Sequence, residues 1–479
     1  MRPGQTSLVV FLSKLIGSGL GFLATVYFAR VLGAAVLGQY ALVLALGSWL
    51  VLAGKVGITT ALTKRVSEGE EPGAYVAAAA VLVGALGAVV AVGVAAVGGY
   101  VDAYVGESVA AFLAVIVLVK LWYTLTNAAL EGDRKVHIVG LLQPIQIGSY
   151  SLLQVALVAA GFGLAGLLFG YVVGGVLIAV VGLWSLSVGF ERPRVRHFKS
   201  LLGFAKYAWL GGLESRSFND VDILVLGFFV PSALVGVYAV AWSIAKFLTL
   251  FGTAVSTTLF PELSSADAAG DREAVSGFVS DSLTYGGLVV IPGLLGGALL
   301  GERLLGIYGP EFTEGAVVLV VLIAASLLYG YQKQLLNALN AVDRPDLAFR
   351  INAAFIATNL LANVALVAAI GVLGAAIATA LAAAVGLALA FGALRSVVAF
   401  RAPVGEIGRQ FLAALAMAAV VYAGLLVFAA TGITHNVAIV LSLVGVGAGV
   451  YFLALLSISA TFRATVRANS PVGVPLFGE

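Results

Sequence analysis

The stretch Leu213-Glu-Ser-Arg-Ser-Phe-Asn-Asp-Val-Asp222 places one arginine and three carboxylates inside a sequence that is otherwise mostly hydrocarbon. On a helix, Arg216 and Asp220 meet at i, i+4 spacing and can pair, and Ser215, Asn219 and Asp222 share one face. Four lysines also fall inside apolar stretches: Lys14 and Lys333 nearer the ends, Lys120 and Lys246 nearer the middle. An ionisable group deep in hydrocarbon costs at least a few kcal/mol, so such residues normally face a bundle interior or a watery cavity. The cations Lys14, Lys120, Lys246, Lys333 and Arg216 outnumber the acids Glu214, Asp220 and Asp222. A low-dielectric interior with that balance suits an anionic guest such as a phosphate or pyrophosphate. The three acids are candidates for carrying a proton or binding Na⁺. Polar aromatics and amides at similar depths, among them Tyr27, Tyr40, Tyr123, Tyr150, Tyr207, Trp209, Tyr238, Trp242, Gln332 and Gln334, suit the lining of a sugar-binding cavity.

Other chemistries lack their residues. With no cysteine there is no disulfide, thiolate metal site or cysteine nucleophile. His137, His197 and His435 all fall in expected loops and suggest no metal cluster. No nucleotide-binding loop is present, so no ATPase domain in this chain supplies energy. No catalytic residues, metal ligands or cofactors are therefore assigned, and coupling to H⁺ or Na⁺ is left open.

The elements that must hold these charges are membrane helices. The chain has 479 residues, of which 61% are hydrophobic and 10% charged, with a mean hydropathy of +1.09. That excludes a water-soluble globule. A span needs roughly 20 mostly apolar residues, and such stretches occur near 7–32, 36–57, 75–99, 109–130, 138–160, 164–188, 205–229, 233–259, 276–300, 313–338, 348–370, 372–395, 407–431 and 436–460. Segments such as Val76 to Gly99 are apolar on every face, which fits helices touching lipid and excludes alternating barrel strands. The first span is expected to stay as an anchor, since no clear small-residue cleavage site follows it.

Lys and Arg gather on one side of this arrangement, including Lys64, Arg65, Arg134, Lys135, Arg192, Arg194, Arg196, Lys199 and Arg344, with only Arg30 and Arg303 opposite. The positive-inside bias predicts a multi-pass protein of the cell (plasma or inner) membrane with both termini in the cytoplasm. The net charge of +3 reflects this topology and points to no nucleic-acid partner.

The chain also repeats itself. Asn127-Ala-Ala-Leu-Glu-Gly-Asp133-Arg134 matches Asn337-Ala-Leu-Asn-Ala-Val-Asp343-Arg344, and Val-Ala-Leu-Val-Ala-Ala recurs at 155–160 and 364–369. Gly38-Gln39-Tyr40 likewise matches Gly236-Val237-Tyr238. An even number of spans per half gives two halves of the same orientation, related by an axis along the membrane normal. The expected fold is thus an all-α polytopic membrane protein with about 14 transmembrane helices. Two parallel-repeat six-helix lobes, 1–194 and 195–399, precede 400–479, which holds two C-terminal helices and a cytoplasmic tail. The basic connector Glu191 to Lys199 leads into an amphipathic stretch, Leu201 to Trp209, expected along the cytoplasmic interface.

Arg30-x-Leu-Gly33 with Gly38-x-Tyr40, and Asp222-x-x-x-Leu-Gly227 with Val235-Gly-x-Tyr238, in this span order, resemble the Wzx-type polysaccharide flippases of the multidrug/oligosaccharidyl-lipid/polysaccharide exporter superfamily. The resemblance covers the whole chain. It implies alternating access between two lobes and transfer of a polyprenyl- or dolichyl-linked oligosaccharide to the outer leaflet. It also implies glycan-assembly enzymes of the same pathway as partners and a cationic cavity for the phosphate-linked saccharide. Arg30 matches the first-span arginine of that family, which adds it to the substrate-binding candidates, and Asp222 matches its acidic position in span seven. The chain is read as a monomer and as a transporter, not an enzyme. The alternatives are a drug or metabolite exporter of the same superfamily, which an interior that leans positive disfavours, and a membrane glycan polymerase or ligase. The latter would need a sizeable outer loop with catalytic groups, and Gly99–Ser108 and Gly301–Phe312 are too short for one.

Overall fold

A computed structural model describes the backbone of residues 3–469 except 56, 190 and 209–212, and the side chains of these residues except 3–16, 18, 206–208 and 468–469. The Lys14, Tyr207 and Trp209 side chains therefore lie outside the described residues. Everything regular among the described residues is helical. In a bilayer this is the expected solution, because a helix satisfies its own backbone donors and acceptors where water is absent.

By packing, the chain divides into two compact units, Met1–Ala239 with Asn359–Ala375, and Val240–Thr358 with Ala376–Glu479. The first unit contains α1 (Pro3–Lys55), α2 (Ile58–Glu68), α3 (Pro72–Ala96), α4 (Gly98–Val105), α5 (Ala110–Gly132), α6 (Val136–Ala159), α7 (Gly163–Trp184), α8 (Val195–Ala208), α9 (Leu213–Phe229) and the start of α10 (Ser232–Leu248). The second unit holds the rest of α10, then α11 (Leu250–Ala268), α12 (Arg272–Gly286), α13 (Val290–Gly306) and a 3₁₀ turn at Pro310–Gly315. It continues with α14 (Ala316–Ala341), both ends of α15 (Pro345–Val397), α16 (Val404–Thr431), α17 (Asn436–Ile458) and α18 (Ala460–Asn469).

Among the described residues ten helices are long and apolar enough to cross a membrane, or eleven if α10 and α11, bent by 43°, form one span. Both 53-residue helices are broken where the sequence separates two spans. In α1 the break is at Gly33 (φ 80°), and in α15 it is at Ile370 and Gly371 (φ 61° at the glycine). These backbone angles lie where an L side chain is strained, so glycine lets one span turn directly into the next. The expected ninth span, 276–300, falls within Arg272–Gly306, which is long and apolar enough to cross a membrane as one span although a turn at 287–289 separates α12 from α13.

The two octads end α5 and α14 with the same hydrogen-bonded turn. Lys135 N–H bonds Leu130 O at 2.9 Å, and Arg344 N–H bonds Leu339 O at 2.8 Å. In each turn the preceding residue is left-handed, Arg134 (φ 58°) and Asp343 (φ 56°). The structural register is therefore one residue shorter than the octad alignment, and it equals the spacing of the Val-Ala-Leu-Val-Ala-Ala pair.

The part of α1 after Gly33 packs very closely on the start of α10 at the Gly-x-Tyr motif. A Cβ on Gly38 would lie 1.7 Å from Ser232 O and 2.9 Å from Gly236 N, and one on Gly236 would lie 2.0 Å from Ala34 O and 3.0 Å from Gly38 N. The contact is reciprocal, so each copy of the repeated motif packs its backbone on the other. Next to it, Tyr104 Oη–H of α4 donates to Leu224 O at 2.5 Å, and Gly227 leaves room for Tyr104 and Leu42.

The amphipathic helix expected over Leu201 to Trp209 begins earlier, inside the basic connector, as α8 from Val195 to Ala208, and the helix expected as span seven from 205 starts at Leu213. His197, Leu201 and Ala205 are buried on one face; Val195, Lys199 and Leu202 are exposed on the other. His197 Nδ1 accepts from Arg194 N–H at 2.9 Å, which assigns the proton to Nε2, 2.6 Å from Glu71 Oε2. Arg196 donates to the same oxygen at 2.5 Å. The hydrogen bonds from His197 and then Arg196 hold the Glu71 carboxyl below its ordinary value of 4.5. A depressed carboxylate contributes stability above its unfolded pKa and loses it as pH falls through the folded pKa. Protection of 195–208 in hydrogen exchange should therefore fall as pH drops below 4.5, and in Glu71→Gln it should already be low at neutral pH. An unchanged profile in that variant would show that Glu71 does not hold α8.

In the second unit, Val279, Leu283, Leu335, Leu339, Ile351 and Leu394 form a buried core between α12, α14 and α15. Buried amides tie its helices together: Gln334 Nε2 donates to Gly252 O at 2.9 Å, and Gln410 Nε2 of α16 donates to Thr284 O at 2.7 Å. Gln332 and Gln334, expected at a cavity wall, are buried here in helix contacts.

Candidate functional site

Two polar centres occupy the first unit. In the first, Lys120 Nζ on α5 donates to Ser48 Oγ on α1 at 3.0 Å and lies 5.8 Å from the ring centre of Tyr171 on α7. The Ser48 hydroxyl in turn donates a hydrogen bond to Leu44 O at 2.8 Å. An ammonium has three donors, and one is used here among the described residues. Arg216 and Asp220 lie within electrostatic reach of Lys120, and Arg216 lies within reach of Lys55 and Tyr171. Arg216 Nη1 donates to Asp220 Oδ2 at 3.1 Å, the i, i+4 pairing expected from sequence, and 40% of its side-chain surface stays accessible. Lys55, Lys120 and Arg216 against Asp220 leave this centre positive.

The second centre is fully buried. Tyr238 donates to Asp222 Oδ2, and Asn363 Nδ2 of α15 donates to Asp222 Oδ1 at 2.7 Å. Asn363 also donates to Asn359 O at 3.0 Å, and Ser217 donates to Asn359 Oδ1 at 3.1 Å. Asp222 is 2% exposed and Asn359 and Asn363 are 0% exposed, while Asn363 Oδ1 has no hydrogen-bond partner. A carboxylate surrounded by hydroxyl and amide groups in a dry site can exchange a proton or bind a small cation.

The expected shared face of Ser215, Asn219 and Asp222 does not form a site. Ser215 is exposed and its carbonyl accepts from Asn219, whereas Asp222 finds its partners on α10 and α15. Glu214 is half-buried in the first turn of α9. Lys246, in the second unit, packs 5.4 Å from the Trp242 ring centre; Lys333 and Arg30 are exposed. Sequence reasoning missed Ser48, Tyr171, Asn359 and Asn363. The asparagines had a readable signal, since two amides at i, i+4 in an otherwise apolar span must find polar partners.

A polytopic helical bundle that holds a half-buried cationic centre and a separate buried carboxylate centre fits a membrane transporter. Residues 27–316 match the family model described as polysaccharide biosynthesis protein. "Probable flippase AglR" of Haloferax volcanii is 34% identical over 474 residues, covering 97% of this chain and 98% of the relative. "Probable low-salt glycan biosynthesis flippase Agl15" of the same organism is 28% identical over 423 residues, covering 88% and 90%. The chain belongs to the polysaccharide biosynthesis protein family. In fold it resembles the solved structure of lipid II flippase MurJ in its inward closed conformation (TM-score 0.81, 16% identity, covering 96% of this chain and 100% of that one). It also resembles an inward-facing multidrug resistance MATE family transporter of the MOP superfamily (TM-score 0.63, 14% identity, covering 82% and 100%).

Proposed function

We propose that the protein flips a lipid-linked oligosaccharide, on a polyprenyl or dolichyl phosphate or pyrophosphate, from the cytoplasmic to the outer leaflet. The observation that carries this reading is the positive centre at Lys120, Ser48 and Arg216 within the first unit. A charged saccharide cannot cross about 30 Å of hydrocarbon unaided. A site that holds its phosphate replaces part of the lost hydration while the lipid tail stays in the bilayer. The names of the two Haloferax volcanii relatives, a probable flippase and a probable low-salt glycan biosynthesis flippase, support this reading.

In this reading the protein is a transporter and not an enzyme. It works as a monomer in the plasma membrane with both termini in the cytoplasm, beside the glycan-assembly enzymes of its pathway. Fourteen spans arranged as lobes 1–194 and 195–399, followed by 400–479, provide alternating access. Lys120 and Arg216 bind the phosphate; Lys14, Arg30, Lys246 and Lys333 contribute along the path. Of the acids Glu214, Asp220 and Asp222, the burial of Asp222 favours it as the carrier of a coupling H⁺ or Na⁺.

The test is leaflet transfer by purified protein in liposomes, read by access of an external glycan-modifying enzyme to the sugar. Lys120→Ala should lower transfer at least tenfold, about the effect of losing one charge-assisted contact. The Lys120→Ala/Lys246→Ala double variant should abolish it with membrane insertion intact. Full transfer in the double variant would remove these residues from the site. Wild-type protein that moves no lipid-linked glycan but drives efflux of a soluble compound would place it with the exporters instead.

A further inference from the structure

Beside Lys120 the first unit holds an aromatic pair that the charge reading leaves unused. Tyr150 of α6 and Tyr171 of α7 have ring centres 5.4 Å apart and planes inclined by 36°. Both residues are half-buried, and neither hydroxyl has a hydrogen-bond partner among the described residues. A tyrosine kept for packing normally ties its hydroxyl to a partner when buried. Tyr40, close by, does so by accepting from Gln154 Nε2 at 2.9 Å.

The pair is also held rigidly. Gln154 is buried and donates to Leu167 O at 2.7 Å, which clamps α6 to α7. A Cβ on Gly170 would lie 2.6 Å from Gln154 Cγ, and one on Gly174 would lie 2.6 Å from Tyr150 Cβ and 2.8 Å from its Cα. The two helices therefore meet backbone to side chain, and the rings keep their places. A rigid aromatic face with free hydroxyls, next to an ammonium with unused donors, fits a ligand that is apolar on one face, polar at its edge and anionic at one end.

We infer that Tyr150 and Tyr171 form a saccharide subsite, stacking the sugar nearest the phosphate while Lys120 binds that phosphate. This rests on the flippase reading and deepens it by giving this chain a sugar contact separate from its phosphate contact. The pyranose C–H face lies on the rings, and the tyrosine hydroxyls bond its hydroxyl edge. The lysine contact selects for the anion, and the aromatic contact selects for a glycosylated carrier over a bare one.

Binding of two probes to the purified full-length protein separates these roles: a bare polyprenyl phosphate, and the same carrier bearing an oligosaccharide. Tyr150→Ala should weaken the glycosylated probe about tenfold, the scale of one lost aromatic contact, and leave the bare probe unchanged; Tyr171→Ala, whose ring also faces Lys120, should weaken the glycosylated probe about tenfold more than the bare one. Tyr→Phe at either position should keep most of the affinity, and Lys120→Ala should weaken both probes by the same factor. If an alanine variant does not fold, Tyr→Leu at that position keeps the volume without the aromatic face and should show the same selective loss. Equal weakening of both probes, or of neither, in the folded tyrosine variants overturns the subsite and leaves the flippase reading standing. Wild-type protein that binds neither probe overturns both.

Discussion

Gly38→Ala and Gly236→Ala are expected to lower leaflet transfer of lipid-linked oligosaccharide by well over tenfold, the largest effect anticipated for any single methyl group in this chain. Helix propensity alone predicts the opposite, because glycine to alanine inside a helix gains about 1 kcal/mol. Sterics decide the sign. The new Cβ at Gly38 would sit 1.7 Å from Ser232 O, and the one at Gly236 2.0 Å from Ala34 O, against backbone that cannot rotate away. The helices must part, and overpacking of this kind costs roughly 1–3 kcal/mol or more. Gly392→Ala and Gly449→Ala, where a Cβ meets nothing within 4 Å, are the matched controls and should transfer normally. Normal transfer by Gly38→Ala would mean that the close crossing is not a conformation the working protein needs.

Substitution of Asp222 should have the next largest effect, and the two variants should separate stability from coupling. In Asp222→Ala, Tyr238 and Asn363 lose their acceptor in a site that is 0% exposed at both residues. Each orphaned buried group costs roughly 1–3 kcal/mol, so the melting temperature should drop clearly. Asp222→Asn keeps the shape and one acceptor, so it should fold, yet its transfer should no longer depend on a proton or Na⁺ gradient. Glu214→Gln and Asp220→Asn should keep that dependence, since neither residue is enclosed as Asp222 is. A gradient effect that survives in Asp222→Asn, or disappears in Glu214→Gln, would move the coupling role off Asp222.

The helical, membrane-spanning character of the chain was legible because it follows from composition and hydrophobic run length, which are local properties. The turns at Gly33 and Gly371 were legible as gaps between spans for the same reason, and so was the Arg216–Asp220 pair, fixed by helical spacing within α9. The amphipathic character around Leu201 was legible too, but its start at Val195, inside the basic connector, was not. The turn between α12 and α13 was not legible either, because the apolar run from Gly286 to Ile291 continues across it and hydropathy does not record backbone angles.

The site followed the same division. Sequence by itself determined that charged residues lie among apolar helices and that cations prevail, since insertion cost and residue identity need no knowledge of neighbours. Only the tertiary structure decided which of them act together. Lys120 joins Ser48 and Tyr171 across gaps of 72 and 51 positions, and Asp222 joins Asn363 across 141. Likewise, the repeated Gly-x-Tyr was visible as a repeat, but its packing against its own copy was not. Contacts between distant segments depend on which helices become neighbours, and in a sequence this uniformly apolar many pairings bury similar area. Polar partners and backbone clearance at a few positions distinguish them, and these exist only once the helices are side by side.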